Sequence, residues 1–481
     1  MHLGTCEYIY SAVMTDDKDF IERYILTLSS YAFKATMLVS RWTDGYHPLI
    51  HEFVTSRSLP DILNYIKTMS GKDQLDILSA KDKDGNNIIH KCCGLLDNVM
   101  LIINALEQIL RIFSPITFCQ MVCEKNAHCD TVLHVYAKRC TSKLHQSMSL
   151  FEFFRNKLQH LWVSSVSQED GRRNNVLHMC CGNPHAIYYL LTKLGSYYNH
   201  QAYEIENKSA LSTHHFKKCS TFAKLALQKN SDGQSCLHLS ALMKDPLCFT
   251  QILSQIPKNL QYSALADQDG DGNNVLHKLL KNSMLHTSKD WLNGVLHSTN
   301  QDGYLTLLGS RNKFSKTPIT ACLGLKGGNS ISDLNPQSNV QEHKSSNHWS
   351  NNIITALDYV NSFDHRRLLI KQRDSFGCSL LHHAVIAESK HLTQYLTRNL
   401  YPEDIAELSQ IVVPSNGLNA HPRTIFHLAL HHNDRELFYF LYSCLVSPAM
   451  IYWFRGIMVT NNIAPLQTSL LEEAISSKIP I

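Results

Sequence analysis

One short phrase recurs along this chain: a small polar residue, two apolar residues, then a histidine. It reads Asn-Ile-Ile-His from Asn87, Thr-Val-Leu-His from Thr131, Asn-Val-Leu-His from Asn175, Ser-Cys-Leu-His from Ser235 and Asn-Val-Leu-His from Asn274. It returns as Thr-Pro-Ile-Thr from Thr317, Ser-Leu-Leu-His from Ser379 and Thr-Ile-Phe-His from Thr424. More decayed copies begin at Asp44 and Asn462. Self-similarity of this kind predicts a stack of equivalent units, each unable to bury its apolar face alone. The leading residue is always Asn, Ser or Thr, whose side chains cap helix N-termini. Asp-Gly turns precede it at Asp84, Asp232 and Asp271. A second segment follows most copies, as in residues 98–110, 185–194, 247–253, 391–400 and 436–445. Its apolar residues recur at three and four, the helical period. The predicted unit is turn, cap, short helix, longer helix.

These lines resemble the ankyrin repeat, whose signature is an Asp-Gly turn followed by Thr-Pro-Leu-His-x-Ala-Ala. Thr317-Pro318 keeps the Thr-Pro, while His382-His383-Ala384 and His427-Leu428-Ala429 keep the His-x-Ala. The resemblance extends from Asp44 to the C-terminus and implies an all-α, ankyrin-like helical repeat solenoid. Spacing departs from the family. The motif histidines are His90, His134, His178, His238, His277, His382 and His427, with gaps of 44, 44, 60, 39, 105 and 45 residues; Thr320 splits the longest into 43 and 62. A regular ankyrin array steps by about 33. Lengthened, irregular units with inserted loops are therefore expected.

Four regions follow: a helical N-terminal cap over 1–43, a front repeat array over 44–323, a polar insertion over 324–352, and C-terminal repeats with a cap over 353–481. The insertion is rich in Ser, Asn and Gly and reads as a flexible loop. Another long insertion falls around 196–222.

What the resemblance implies is binding rather than catalysis. The motif histidines are expected to be structural. The residue after each varies: Lys91, Val135, Met179, Leu239, Lys278, His383 and Leu428. In ankyrin-like packing this place lies near the inner helix surface, so these seven are candidate partner contacts; packing between units is the competing role. The expected function is a protein-interaction scaffold or adaptor. The alternative is the substrate-recognition part of a multi-component enzyme such as a ubiquitin ligase.

Other chemistry reads weakly. Cys92-Cys93 and Cys180-Cys181 each follow a motif histidine and suggest zinc, but they occupy the place of the ankyrin Ala-Ala, where a small buried thiol packs well. Cys119, Cys123, His128, Cys129 and His134 crowd together without a common zinc spacing. The run from Asp267 begins like an EF-hand loop, yet Lys278 stands where the bidentate acid belongs. No G-x-S-x-G, H-E-x-x-H, phosphate-binding or dinucleotide-binding motif occurs. No catalytic residue, metal site or cofactor is therefore expected. A formal charge of +4 over 481 residues gives no reason to expect nucleic acid. The uncharged run from Leu437 to Phe454 is broken by Pro448 and reads as a buried helix, so no membrane insertion is expected. The first residues lack the pattern of a secretory signal. Fifteen cysteines in such a chain point to reduced thiols and a cytoplasmic or nuclear protein.

Overall fold

The computed structural model describes residues 3–38, 48–95, 99–139, 146–195, 221–282, 285, 290–323, 348–374, 377–411, 424–431 and 434–444. Several expectations lie outside these residues: the Asp44 turn, the Asn462 copy, residues 196–220 and 324–347 of the two insertions, and the apolar run beyond residue 444. The chain divides into two compact bodies, Met1–Cys236 and Leu237–Ile481.

The fold is an all-α helical repeat, and the described residues contain no strand. The repeats from His90 to His382 each show three helices among the described residues, where the sequence shows two. In the repeat of His90 they are Ile88–Leu95, Val99–Ile112 and Pro115–Cys123. For His238 they are Cys236–Ser240, Pro246–Gln255 and Lys258–Ala266; for His382, Leu380–Ile386, Lys390–Arg398 and Pro402–Gln410. The third helix accounts for the steps near 44. It escapes sequence reading because it is short and carries no motif histidine. Its start is nevertheless written in the chain: Ser70, Ser114, Asn300 and Ser362 each cap it with a side-chain oxygen.

Like packs on like within each body. In the first, the helix of His90 touches that of His134, which touches Val176–Cys180. In the second, third helices Lys258–Ala266, Gln301–Gly309 and Phe363–Lys371 follow one another in contact. The core is built from the first helices: Ile88, Ile89, Val132, Leu133, Val176, Leu177, Val275 and Leu276 have no exposed surface. Burying a side chain of this kind contributes about 1.5–3 kcal/mol.

Before the array, Leu3–Met14, Lys18–Phe20, Ile21–Ile25 and Ser30–Met37 are helical. Lys34 ties the last of these to the Gly71–Leu78 helix through Asp73 at 2.8 Å and Asp76 at 2.5 Å. The polar insertion ends earlier than its composition suggests. A helix begins at His348, and Asn352, fully buried, donates to the carbonyls of Leu280 at 3.0 Å and Asn282 at 2.7 Å. Polar composition concealed this because Ser350 and Asn352 face inward with their hydrogen bonds made.

Candidate functional site: the turn and first helix of each repeat

The seven described turns, from Asp82 to Asp374, each rest their geometry on one side-chain oxygen. Asp82 Oδ1 accepts from the backbone N–H groups of Asp84 at 3.0 Å and Asn86 at 2.8 Å. Asn126, Asp170, Asn230, Asp269 and Asn312 accept from the same two places in their own turns. Asp374 accepts from Cys378 N–H at 3.0 Å. An Asx side chain is the ordinary means of closing such a loop. Each of these residues stands eight places before the motif histidine, or before Thr320. The pattern was readable in the sequence, and it extends to Asn419 before His427.

Successive turns are laced together. Within the first body, Ala127 N–H donates to Asp84 O at 2.8 Å, Gly171 to His128 O at 3.1 Å, and Ser231 to Arg172 O at 2.8 Å. In the second body Lys313 N–H donates to Asp271 O at 3.0 Å. The chain turns left-handed at Gly85 and Gly272, with φ of 75° and 78°. A Cβ at Gly85 would lie 2.7 Å from Ala127 N, and one at Gly272 2.9 Å from Lys313 N. Glycine therefore serves both the φ and the close approach of the next turn.

The motif histidine carries the lacing inward. His90 Nε2 meets Asp130 O at 3.2 Å, His134 meets Asn174 O at 2.9 Å, and His178 meets Gln228 O at 3.1 Å and Gln234 O at 3.3 Å. His238 reaches Asn273 O at 3.2 Å and His277 reaches Lys316 O at 3.0 Å. His51 of the decayed first copy does the same with Ala80 O at 3.0 Å. A carbonyl only accepts, so Nε2 facing one carries the proton and Nδ1 is left to accept, although at Asn87, Asn175 and Asn274 it also lies 2.7–2.8 Å from the cap's own Oδ1. It takes the cap residue's N–H at Asn175, Asn274, Ser379 and Thr424, and the hydroxyl proton of Thr131, Ser379 or Thr424 at 2.8 Å. Burial pushes His178 and His277 down to about 4 and His382 to about 3, which keeps these rings neutral. Cap asparagines add another tie. Asn87, Asn175 and Asn274 each donate at 3.0 Å to a carbonyl of their repeat's third helix: Met121, Leu225 and Leu307.

The residue after the histidine has its own relation to the turn. Lys91 pairs with Asp82 at 2.7 Å, Lys278 with Asp269 at 2.6 Å, and His383 with Asp374 at 2.8 Å, always nine places back. The carboxylates are 0–2% exposed, and their two lysines are 18% and 12% exposed. Where the turn residue is Asn126 or Asn230, the place holds Val135 or Leu239, half-buried; Met179 is half-buried opposite Asp170. Leu428 is buried. The asparagine's spare amide crosses to the previous turn instead. Asn126 donates to Asn86 Oδ1 at 2.8 Å, Asn230 to Asn174 at 2.9 Å and Asn312 to Asn273 at 2.8 Å.

The crowded Cys/His segment does not gather into a metal site. The Cys119 thiol faces Lys157 O, Cys123 sits 3.1 Å from Ser165 Oγ, Cys129 is exposed in its turn and His134 is spent on Asn174. Cys92, Cys93, Cys180 and Cys181 are core residues, and burial raises Cys92 to about 12. Asp269, first read beside an EF-hand pattern, holds its turn and Lys278.

What these features define is a helical-repeat protein with three helices per unit and a hydrogen-bonded ladder of turns. No protein-family profile matches the sequence, and no curated protein matches it. Among solved structures it is similar to the ankyrin repeat domain of Bcl-3, described as a unique member of the IkappaB protein family. The two share 13% identity and a TM-score of 0.31, over 56% of this chain and 86% of that one. At that level the repeat class rests on the turns and helices described above. Among the described residues no helix is long and apolar enough to cross a membrane.

Proposed function

We propose that this chain is a protein-interaction scaffold or adaptor, working by binding rather than by catalysis. The observation that carries this reading is where large apolar side chains remain exposed beside the first helix. In the first body these are Leu95 at 47%, Met100 at 58%, Leu101 at 54% and Tyr188 at 52%; in the second, Leu242 at 41% and Leu247 at 52%. All lie at the end of a first helix or early in the second helix. The turns of the same repeats are closed and joined by hydrogen bonds, which favours a surface ordered before a partner arrives. Other exposed apolar side chains, such as Ile116 and Leu368, lie on third helices, but those beside the first helix recur in both bodies, as a repeated interaction surface would require. Half-buried Val135 and Met179 in the first body, and Leu239 in the second, belong to the proposed surface of their own body, where Lys91 and Lys278 respectively set the charge from within their ion pairs.

The test is retention of proteins from a native lysate by the tagged chain after cross-linking, against a Met100→Glu/Leu247→Glu variant of unchanged thermal stability. The expected result is a specific protein held by the parent and lost by the variant. Equal retention by both, or none by the parent, contradicts the reading.

A further inference from the structure

The turn before His382 departs from those of Asp82 and Asp269 at two places together. The turns of Asp82 and Asp269 hold Asp, Asn and Lys at eight before, four before and one after the motif histidine. There the asparagine amide and the lysine ammonium both satisfy the carboxylate: Asn273 Nδ2 lies 3.2 Å from Asp269 Oδ1, and Lys278 2.6 Å from Oδ2. In the turn of Asp374 the asparagine has become Cys378 and the lysine has become His383. Both exchanges replace a donor by a metal-ligating side chain, and the carboxylate is kept.

Geometry brings the three together. One ligand atom from each of Asp374, Cys378 and His383 lies within 4.8 Å of the others. His383 Nε2 is 2.8 Å from Asp374 Oδ2, and Nδ1 has no hydrogen-bond partner although the ring is buried. Zinc bound at about 2.0–2.3 Å by N, O and S ligands holds those atoms roughly 3–4 Å apart. Cys378 is 2% exposed, so it is no surface thiol met by chance.

We propose that Asp374, Cys378 and His383 form a binding site for a divalent transition metal of the zinc class. One carboxylate and one thiolate neutralise the ion, which a buried site requires. Lys316 and Arg373 stand nearby as positive charge: Lys316 interacts with Asp374, and Arg373 with His382. The thiolate's charge therefore matters, and an asparagine at 378 would not supply it. Three protein ligands leave the fourth tetrahedral position to water. The metal takes the role that Lys91 and Lys278 fill in their own repeats, clamping the turn to its first helix.

Cobalt(II) titrated into the full chain under reducing conditions, followed by optical absorption, tests this. The parent is expected to take up one equivalent, with the thiolate-to-cobalt band and the d–d bands of a tetrahedral site. The double variant Cys378→Asn/His383→Lys rebuilds the Asp-Asn-Lys turn used elsewhere in the chain, so it should fold, checked by circular dichroism, and lose that equivalent. Cys378→Ser alone should lose the thiolate band. A folded parent without that band, or a band unchanged in both variants, overturns the proposal.

Discussion

Two neighbouring turns of the second body, at residues 269–274 and 312–317, follow the same backbone path with different electrostatics. The first is charged: Asp269 holds its own N–H groups and pairs with Lys278 across nine residues. In the second the anchor is neutral: Asn312 holds the equivalent N–H groups, sends its amide to Asn273, and has Ala321 where the lysine would be. The difference extends to the cap. His277 completes the first turn and Thr320 the second, where Thr317 N–H donates to Thr320 Oγ1 at 2.8 Å. The path thus depends on one oxygen atom, present in Asp and Asn alike. The rest of the side chain is free to choose between an ion pair within the repeat and an amide bond to the preceding one.

The largest expected separation of the two turns comes from acid. His277 is pushed down to about 4 by burial, against an ordinary 6.5. The unfolded chain therefore takes its proton first as pH falls, and the neutral folded ring loses ground. Stability is complete above 6.5 and drains between 6.5 and about 4, by roughly 3 kcal/mol for a shift of that size. Hydrogen exchange at pH 7 and 5, corrected for intrinsic rates, should show protection falling further in Val275–Leu279 than in Pro318–Cys322. Equal losses would erase the distinction.

Lys278→Met leaves the Asp269 carboxylate buried without its cation and should cost about 3 kcal/mol in chemical denaturation. Making the turn neutral as well, with Asp269→Asn/Lys278→Met, should recover stability to within about 1 kcal/mol of the parent. A double variant as weak as the single would mean that the lysine acts through packing alone. The smallest effect belongs to the turn anchored by Asn312. Asn312→Asp keeps the oxygen but sets a carboxylate against Asn273 Oδ1, and should cost about 1 kcal/mol by the same measurement.

Much of this was legible in the chain. Cap, apolar pair and histidine predict the first helix, and the 3.6-residue pattern predicts the second. The third helix was hidden because it is short and carries no motif histidine. The turn residue eight places before the histidine was visible in every repeat, yet Asp and Asn are so common in loops that only the hydrogen bonds single it out. Lys91 and Lys278 illustrate the limit from the other side. A variable lysine after a buried histidine looks like free surface until the fold shows an aspartate nine residues back. Cys378 carried no signal alone. It gains meaning beside Asp269 and Asn273, once the turns can be superposed in the mind place by place.

The distance from turn residue to motif position is eight in every repeat from Asp82 onward, while the distance between successive motif positions ranges from 39 to 62 residues. Growth and register are thus assigned to different parts of the chain. New segments can enter between helices without shifting a single contact of the ladder, whereas one residue gained or lost inside the eight would misalign the cap, the histidine and the next turn at once. For an engineer this marks the cutting points: a segment running from one Asx residue to just before the next should transplant as a cassette, whatever its length.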